Sequence, residues 1–372
     1  MKKEYLEILK KKYFFYKNKW NNKINRNGDN SINFIKSSFF ALFSSIILLS
    51  GVISLVDATI KDGSAYDNSR WGRLGEAYQT INESENESII FIGSSVSYFG
   101  IDGKCIEDND KSDYNYYNLA VRGDMPYLRI LETEYIIDSG PKKIIIEAGP
   151  NTFQKGIGSV EERLRWQIFS LYNDIEKEKI EHLIIEMDNK YILDNEIDRL
   201  YFKQKTTGIG LDEVLRNFLR NNDDNSGDGH LPSKDSHKWE DSLKTPPVSD
   251  REPLTDLEWF EYVERLSNSE FWIPESDKNL NRMAFDYMIE EFSNNGIEVI
   301  LLSLPIHNDL KNSIPNGSWD AFNDTRNELQ KNHTFLDYTW ENWDQSYFID
   351  PIHLSSEGRQ KMCNELISNM NH

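Results

Sequence analysis

The segment SIIFIGSSVSYFGID, residues 88–102, decides the fold of this chain. Its apolar run stops at Gly93 and is followed by Ser94 and Ser95. A short, continuous apolar run bounded by glycine is typical of a strand that is buried on both faces of a parallel sheet. A helix after the turn directs the free N–H groups at its start toward whatever the serines bind. Taken alone, Gly-Ser-Ser in this place indicates either a catalytic serine or a helix cap.

Further apolar runs of this kind follow along the chain. They are KKIIIEAG (142–149), IEVILLSLP (297–305), HTFLDY (333–338) and a weaker YNYYNLAV (114–121). Apolar residues at three- and four-residue spacing predict helices between or after them, at 126–139, 283–295 and 355–370. This alternation predicts an α/β fold with a doubly wound, mainly parallel sheet of about five strands, of the flavodoxin-like kind.

A long helical insertion, at about 155–282, separates the third and fourth main strands of this prediction. We expect helices at 159–186 and 211–220, which form either a lid over the site or padding at one edge of the sheet. The tract at 221–253 is rich in Asp, Asn, Ser, Gly and Pro. That composition is typical of a disordered or loosely held loop.

One apolar segment precedes the predicted sheet. Residues 37–56, SSFFALFSSIILLSGVISLV, carry no charge. At about 1.5 Å per residue they span roughly 30 Å of hydrocarbon. A cleaved signal peptide normally has a shorter basic leader than 1–36, and a core helix of this length normally shows a polar face. The segment therefore predicts one transmembrane helix.

Charge is distributed unevenly along the chain. Residues 1–56 hold ten Lys and Arg against three Asp and Glu, and the whole chain has a net charge of −20. The positive-inside rule makes 1–36 a basic cytoplasmic tail and places the chain beyond Val56 outside the cytoplasm. We expect a single-pass protein of the cell membrane with a stalk at 57–87 and an extracytoplasmic domain at 88–372. Such an acidic body repels phosphates, which argues against a nucleic-acid partner.

Two cysteines occur, Cys105 and Cys363. They are too few for a zinc site or a disulfide scaffold. They either pair, if the domain is extracytoplasmic, or remain separate buried thiols. No Gly-rich phosphate loop of the Walker or dinucleotide kind is present, and we expect no metal and no cofactor.

Three other segments carry polar or glycine residues near predicted strand ends. They are NLAVRGDMP (118–126) with Gly123, IEAGPNTF (146–153) with Gly149 and Asn151, and FIDPIHLSSEG (348–358) with Asp350 and His353. Ligand sites in open α/β sheets lie outside the carboxyl ends of the strands. We therefore expect these segments close to the two serines of the first turn.

The remaining histidines carry weaker signals. His307, in SLPIHNDL (303–310), is either a pocket residue or a polar loop residue. His230 and His237 lie in the loose tract, and a metal site there would require an order that its composition does not predict.

In order and position, the four segments resemble the blocks of the SGNH/GDSL hydrolase superfamily, over residues 88–370. The resemblance implies a catalytic triad of Ser95, His353 and Asp350, with oxyanion-hole donors from Ser95, Gly123 and Asn151. Gly93, Ser94 and Gly149 would support these groups. The family's Gly-Asp-Ser is here Gly-Ser-Ser, with Ser94 in place of the Asp. That form is familiar in membrane-anchored members that act on cell-surface polymers.

The anchor and the resemblance together imply an extracytoplasmic serine esterase or O-acyl transferase. Its expected partners are the membrane, through 37–56, and an acylated glycan or envelope polymer, with acetyl as an example of the acyl group. The alternative is a catalytically idle domain that binds glycan or scaffolds an assembly with a multi-span membrane acyltransferase.

Overall fold

The computed structural model describes residues 41–45, 51, 73–154, 231–232, 234, 236–246, 253–268, 272–273 and 280–370. The chain divides into two units, Met1–Ala58 and Thr59–His372. In the first unit, residues 41–45 and Gly51 are helical. Within the described part of the chain, no helix combines the length and apolarity needed to cross a membrane. Most of the predicted span at 37–56 lies outside the described residues, as do the predicted helices at 159–186 and 211–220, so these remain predictions.

A parallel five-stranded sheet forms the centre of the second unit. Its strands are β1 (Ser88–Ile92), β2 (Asn115–Asn118), β3 (Lys143–Glu147), β4 (Glu298–Ser303) and β5 (Thr334–Asp337), in the spatial order β2-β1-β3-β4-β5. Each neighbouring pair is parallel. The predicted α/β fold with a five-stranded parallel sheet is confirmed.

The strand order reverses at the centre of this sheet. The chain passes from β1 outward to β2 and then returns to the other side of β1 to form β3. In the β1–β3 pair, Ile90 lies opposite Ile144 and Ile92 lies opposite Ile146. Every residue of β1 is buried, as its continuous apolar run predicts. The carboxyl ends of β1 and β3 meet where the order reverses, which is where open α/β sheets bind ligands.

The helices follow the strands along the chain. Those that the structure describes in the second unit are α1 (Leu74–Asn82), α2 (Ser95–Gly100), α3 (Gly103–Asn109), α4 (Pro126–Arg129), α5 (Thr133–Asp138), α6 (Trp239–Lys244), α7 (Asp256–Ser267), α8 (Leu280–Asn294), α9 (Asn308–Ser313), α10 (Asn316–Leu329) and α11 (Ser356–Met370). A 3₁₀ turn, Ile130–Glu132, divides the helix predicted at 126–139 into α4 and α5. The helices predicted at 283–295 and 355–370 correspond to α8 and α11 within a few residues.

Helix α1 lies in the segment predicted as a stalk. Its buried residues belong to the main apolar core and recur at three- and four-residue spacing: Leu74, Ala77, Tyr78 and Ile81. This part of the 57–87 segment therefore packs into the folded body. Residues 57–72 lie outside the described residues.

Helix α6 lies in the tract predicted to be loosely held. Trp239 and Leu243 are buried in the main core, and Lys244 Nζ lies 2.8 Å from Glu107 Oε2. The prediction is wrong for residues 236–246, because two large apolar side chains anchor this short helix despite its polar flanks.

A small antiparallel hairpin lies just before α11. It consists of β6 (Phe348–Asp350) and β7 (His353–Leu354), and it pairs Asp350 with His353. The hairpin holds the two side chains next to each other at the start of α11.

The two cysteines form a disulfide, Cys105–Cys363. Of the two alternatives left open by the sequence, the structure therefore has the paired one. The bond joins α3 to α11, two helices whose cysteines are 258 residues apart in sequence.

Candidate active site

The first turn of the site lies between β1 and α2. Ser94 is the N-cap of α2, and its Oγ accepts a hydrogen bond of 3.2 Å from the Val96 N–H. Serine is favoured at this position because its side chain satisfies one of the amides that a helix start leaves unpaired. Ser95 is the first residue of the helix. The helix-cap interpretation of Gly-Ser-Ser therefore applies to Ser94, while Ser95 faces the histidine.

A chain of hydrogen bonds joins Ser95, His353 and Asp350. His353 Nε2 lies 2.8 Å from Ser95 Oγ. On the other side of the ring, His353 Nδ1 lies 2.7 Å from Asp350 Oδ2 and 3.0 Å from Oδ1. With Nδ1 protonated toward the carboxylate, Nε2 is an acceptor for the Ser95 hydroxyl. The arrangement can activate a serine for attack on a carbonyl.

The Asp350 carboxylate is buried and is held in its charged form. Asp350 is 6% exposed, and its Oδ1 also accepts hydrogen bonds from the backbone N–H groups of Ile352 and His353. Burial raises the pKa of Asp350, but the charge of His353 and these hydrogen bonds lower it more. The pKa therefore lies below its ordinary value of 3.8. A charged Asp350 can orient the imidazole and stabilise its protonated form.

His307 supports the loop that carries Asp350 and His353. Its backbone N–H donates a 3.0 Å hydrogen bond to the Pro351 carbonyl. Its ring packs edge-on between Trp259 and Phe348, with centroid distances of 4.9 and 5.5 Å. Burial lowers the pKa of His307, partly opposed by the charge of Asp309. Its described contacts are those of a loop-supporting residue.

Gly123 lies in the turn that follows β2. Its φ of +76° is in the left-handed region that favours glycine. The Val121 N–H donates a 2.9 Å hydrogen bond to the Gly93 carbonyl, which places this turn beside the end of β1. On the other side, Arg129 Nε donates to Asp124 Oδ2 at 2.7 Å. The backbone around Gly123 is thus anchored on both sides.

Asn151 follows β3 and is 5% exposed. Its Nδ2 donates a 3.2 Å hydrogen bond to Glu147 Oε1. The Gly149 N–H donates to Thr152 Oγ1 at 3.0 Å. A Cβ at Gly149 would lie 2.9 Å from Asn151 Oδ1. Glycine at 149 therefore leaves room for the Asn151 amide.

Glu147 is the site residue that the sequence analysis missed. It ends β3, is 3% exposed and contacts both the Ser94–Ser95 turn and Asn151. The signal was present in KKIIIEAG, where a carboxylate ends an apolar run that is otherwise buried. A buried carboxylate requires compensating donors, and such a residue at a strand end indicates a polar network.

A small cavity of about 20 Å³ lies beside the first turn. Its lining includes Gly93, Ser94, Asp124, Met125, Asn151 and Met288. A space of this size holds about one water-sized group. Neither Ser95 nor His353 is among its lining residues.

Metal ligands are the last element of the site prediction. Among the described residues, no group of three or more His, Cys, Asp or Glu side chains is arranged to hold a metal ion. His237 is among the described residues, and His230 is not.

This chain shows little similarity to known proteins. No family model matches it, and no curated protein matches it. Among solved structures, it is similar to a GDSL-like lipase from Bacteroides thetaiotaomicron, with 12% sequence identity over 80% of this chain and 98% of that chain, at a TM-score of 0.35. A likeness this distant leaves the geometry of Ser95, His353 and Asp350 as the basis for a functional conclusion.

Proposed function

We propose that this protein is an SGNH-type serine esterase or O-acyl transferase in which Ser95 is the nucleophile, His353 is the general base and Asp350 is the carboxylate that orients His353. The observation that carries the proposal is the chain of hydrogen bonds from Ser95 Oγ to His353 Nε2, at 2.8 Å, and from His353 Nδ1 to Asp350 Oδ2, at 2.7 Å. A serine within hydrogen-bond reach of a base that a third group orients is the arrangement of an activated nucleophile.

In the first half-reaction, Ser95 Oγ attacks the ester carbonyl carbon while its proton passes to His353 Nε2. The carbonyl oxygen becomes an oxyanion. Collapse of the tetrahedral intermediate breaks the bond to the alcohol oxygen, which leaves with the proton from His353. The product is an acyl ester on Ser95.

In the second half-reaction, a hydroxyl group attacks the acyl-Ser95 ester and His353 again moves the proton. Water as the attacking group releases a carboxylic acid, which makes an esterase. A sugar hydroxyl gives a new ester, which makes a transferase. The same residues serve both outcomes, and the acceptor decides between them.

The oxyanion would be bound by the Ser95 and Gly123 backbone N–H groups and by the Asn151 amide. Ser95 is the first residue of α2, so its N–H has no carbonyl one turn earlier in its own helix. Each donor of this kind stabilises the transition state by about 3 kcal/mol in comparable sites.

A location outside the cytoplasm completes the proposal. The Cys105–Cys363 disulfide supports it, because disulfides persist in oxidising compartments. With the apolar segment at 37–56 as a membrane anchor and 1–36 in the cytoplasm, the substrates within reach are acylated glycans or other envelope polymers. The proposed acyl group is small, with acetyl as the example. A multi-span membrane acyltransferase is a further candidate partner.

The test is turnover of p-nitrophenyl acetate and p-nitrophenyl octanoate by the purified full chain in detergent. We expect hydrolysis of the acetate and its loss with Ser95→Ala, and the ratio of the two rates reports the acyl length that the site accepts. Ser313→Ala, a change of the same kind on the exposed side of α9, serves as the control and should keep full activity. A monosaccharide acceptor is then added. Formation of an acetylated sugar shows transfer, and its absence shows hydrolysis alone.

A folded wild-type protein that turns over neither ester and gains nothing from a sugar acceptor would contradict the proposal. It would favour the idle, glycan-binding alternative.

A further inference from the structure

We infer that Glu147 is a positioning residue of the reaction, which fixes the Ser95 turn and sets the orientation of the Asn151 amide. This inference rests on the proposed function, because it concerns the oxyanion donors of that reaction. It assigns a role to a carboxylate outside the triad.

Five hydrogen bonds reach the Glu147 carboxylate. Oε2 accepts from the Ser94 N–H at 2.8 Å, the Ser97 N–H at 3.2 Å and the Ser97 hydroxyl at 2.7 Å. Oε1 accepts from the Ser94 hydroxyl at 2.7 Å and from Asn151 Nδ2 at 3.2 Å. A carboxylate that is 3% exposed needs such donors to offset its lost hydration. All five come from the turn that carries Ser95 or from Asn151.

These bonds leave the Ser95 amide for another acceptor. The amides of Ser94 and Ser97 donate to Glu147, and the Val96 amide donates to the Ser94 hydroxyl. Among the amides of residues 94–97, that of Ser95 contacts neither the carboxylate nor the cap in the described structure. The carboxylate therefore fixes the start of α2 while it leaves the Ser95 N–H available for the oxyanion.

Glu147 also determines which way the Asn151 amide faces. An ionised carboxylate accepts hydrogen bonds but cannot donate one, so it binds the Asn151 nitrogen and excludes the opposite flip. The amide nitrogen carries two N–H groups. With one bound to Glu147 Oε1 at 3.2 Å, the second N–H remains for the oxyanion.

The backbone is shaped to admit this carboxylate. A Cβ at Gly93 would lie 2.5 Å from Glu147 Oε2 and 2.7 Å from Glu147 Cβ. Any side chain at position 93 would displace Glu147 from the turn. The glycine before Ser94 therefore permits the close approach of β3 to the start of α2.

The test compares Glu147→Gln with the wild type in steady-state hydrolysis of p-nitrophenyl acetate. The substitution replaces one acceptor oxygen by an amide nitrogen. Two backbone N–H groups face Oε2, so the nitrogen takes the Oε1 position. Asn151 then flips to accept from it and withdraws its N–H from the oxyanion. We expect kcat to fall by about 10²-fold, as for the loss of one oxyanion donor, with KM changed by less than about threefold. Glu107→Gln is the matched control, because Glu107 is bound by Lys244 away from this turn, and it should keep full kcat.

A double-mutant cycle separates positioning from a general structural effect. If Glu147 acts mainly through Asn151, Glu147→Gln should lower kcat by less than about tenfold in an Asn151→Ala background, since residues that act as a unit are non-additive. An equal loss in both backgrounds, or full kcat in Glu147→Gln, would overturn the inference.

If Glu147→Gln does not fold, Ser97→Ala tests the same inference. It removes one hydroxyl that binds the carboxylate, and we expect a lower kcat at unchanged KM; an unchanged kcat would then overturn the inference. Inactivity of the wild type toward every ester would instead refute the proposed function, so the two failures are distinguishable.

Discussion

Arg359 Nε donates a 2.8 Å hydrogen bond to the Phe99 carbonyl, near the end of the helix that begins at Ser95. Arg359 Nη2 donates to the Tyr98 carbonyl at 3.3 Å. Arg359 lies in α11, six residues after His353, and is 3% exposed. One buried guanidinium therefore connects the helix of the proposed nucleophile to the segment of the proposed base.

This connection predicts that Arg359→Lys weakens both stability and turnover. A lysine cannot reproduce the planar, multiple donors of arginine, so at least one buried carbonyl loses its partner. We expect the free energy of unfolding to fall by about 1–3 kcal/mol. We also expect kcat to fall, with a smaller change in KM. Urea unfolding and p-nitrophenyl acetate kinetics measure the two effects. A variant as stable and active as the wild type would show that Arg359 does not hold the two segments together.

The Cys105–Cys363 disulfide makes a second connection to α11, from α3. We expect the double variant Cys105→Ser, Cys363→Ser to lose about 2–5 kcal/mol of unfolding free energy, since the open chain gains conformational freedom when unfolded. Reduction of the wild type should lower its melting temperature, and reduction of the double variant should not. Equal melting temperatures for oxidised and reduced wild type would contradict this prediction.

The lowered pKa of Asp350 predicts how stability depends on pH. Because the folded pKa lies below the ordinary value of 3.8, the stabilisation is complete above about pH 4 and is lost as pH falls through the folded pKa. Asp350→Asn removes this titration. Urea unfolding from pH 7 to pH 2 should therefore show a difference in the free energy of unfolding between wild type and variant that narrows below about pH 4. A difference that stays constant over this whole range would show that the charge of Asp350 does not cause it.

The proposed topology predicts the result of protease protection. If 37–56 crosses the membrane with 1–36 inside, protease added to intact cells should digest the body and spare an epitope tag placed at the N-terminus. Permeabilised cells serve as the control, in which both parts are digested. Protection of the body in intact cells would reverse the orientation.

Sequence patterns predict the sheet well because its strands are short apolar runs that end at glycine or polar residues. The run ending at Gly93 forms β1, and KKIIIEAG forms β3. Sequence patterns do not predict structure that depends on a contact between distant segments. The α6 helix is polar at its flanks, and only its packing through Trp239 shows that it is ordered.

The same limit applies to the site. Asp350 and His353 form part of a local motif, and their pairing is visible in sequence as well as in the β6–β7 hairpin. Glu147 binds residues that are 50 and 53 positions earlier, and Arg359 binds a carbonyl 260 positions earlier. No periodicity or local spacing records these contacts. The sequence of β3 shows only that a carboxylate ends a buried apolar run, and it does not show which residues bind that carboxylate.

Covalent labelling by a fluorophosphonate probe, followed by mass spectrometry of the modified peptide, tests the central claim most directly. We predict that the wild type and Ser94→Ala carry the probe on Ser95. His353→Ala, shown to be folded by circular dichroism, should label at least about 10³-fold more slowly. An adduct on Ser94, or labelling of His353→Ala at the wild-type rate, would contradict the triad of Ser95, His353 and Asp350.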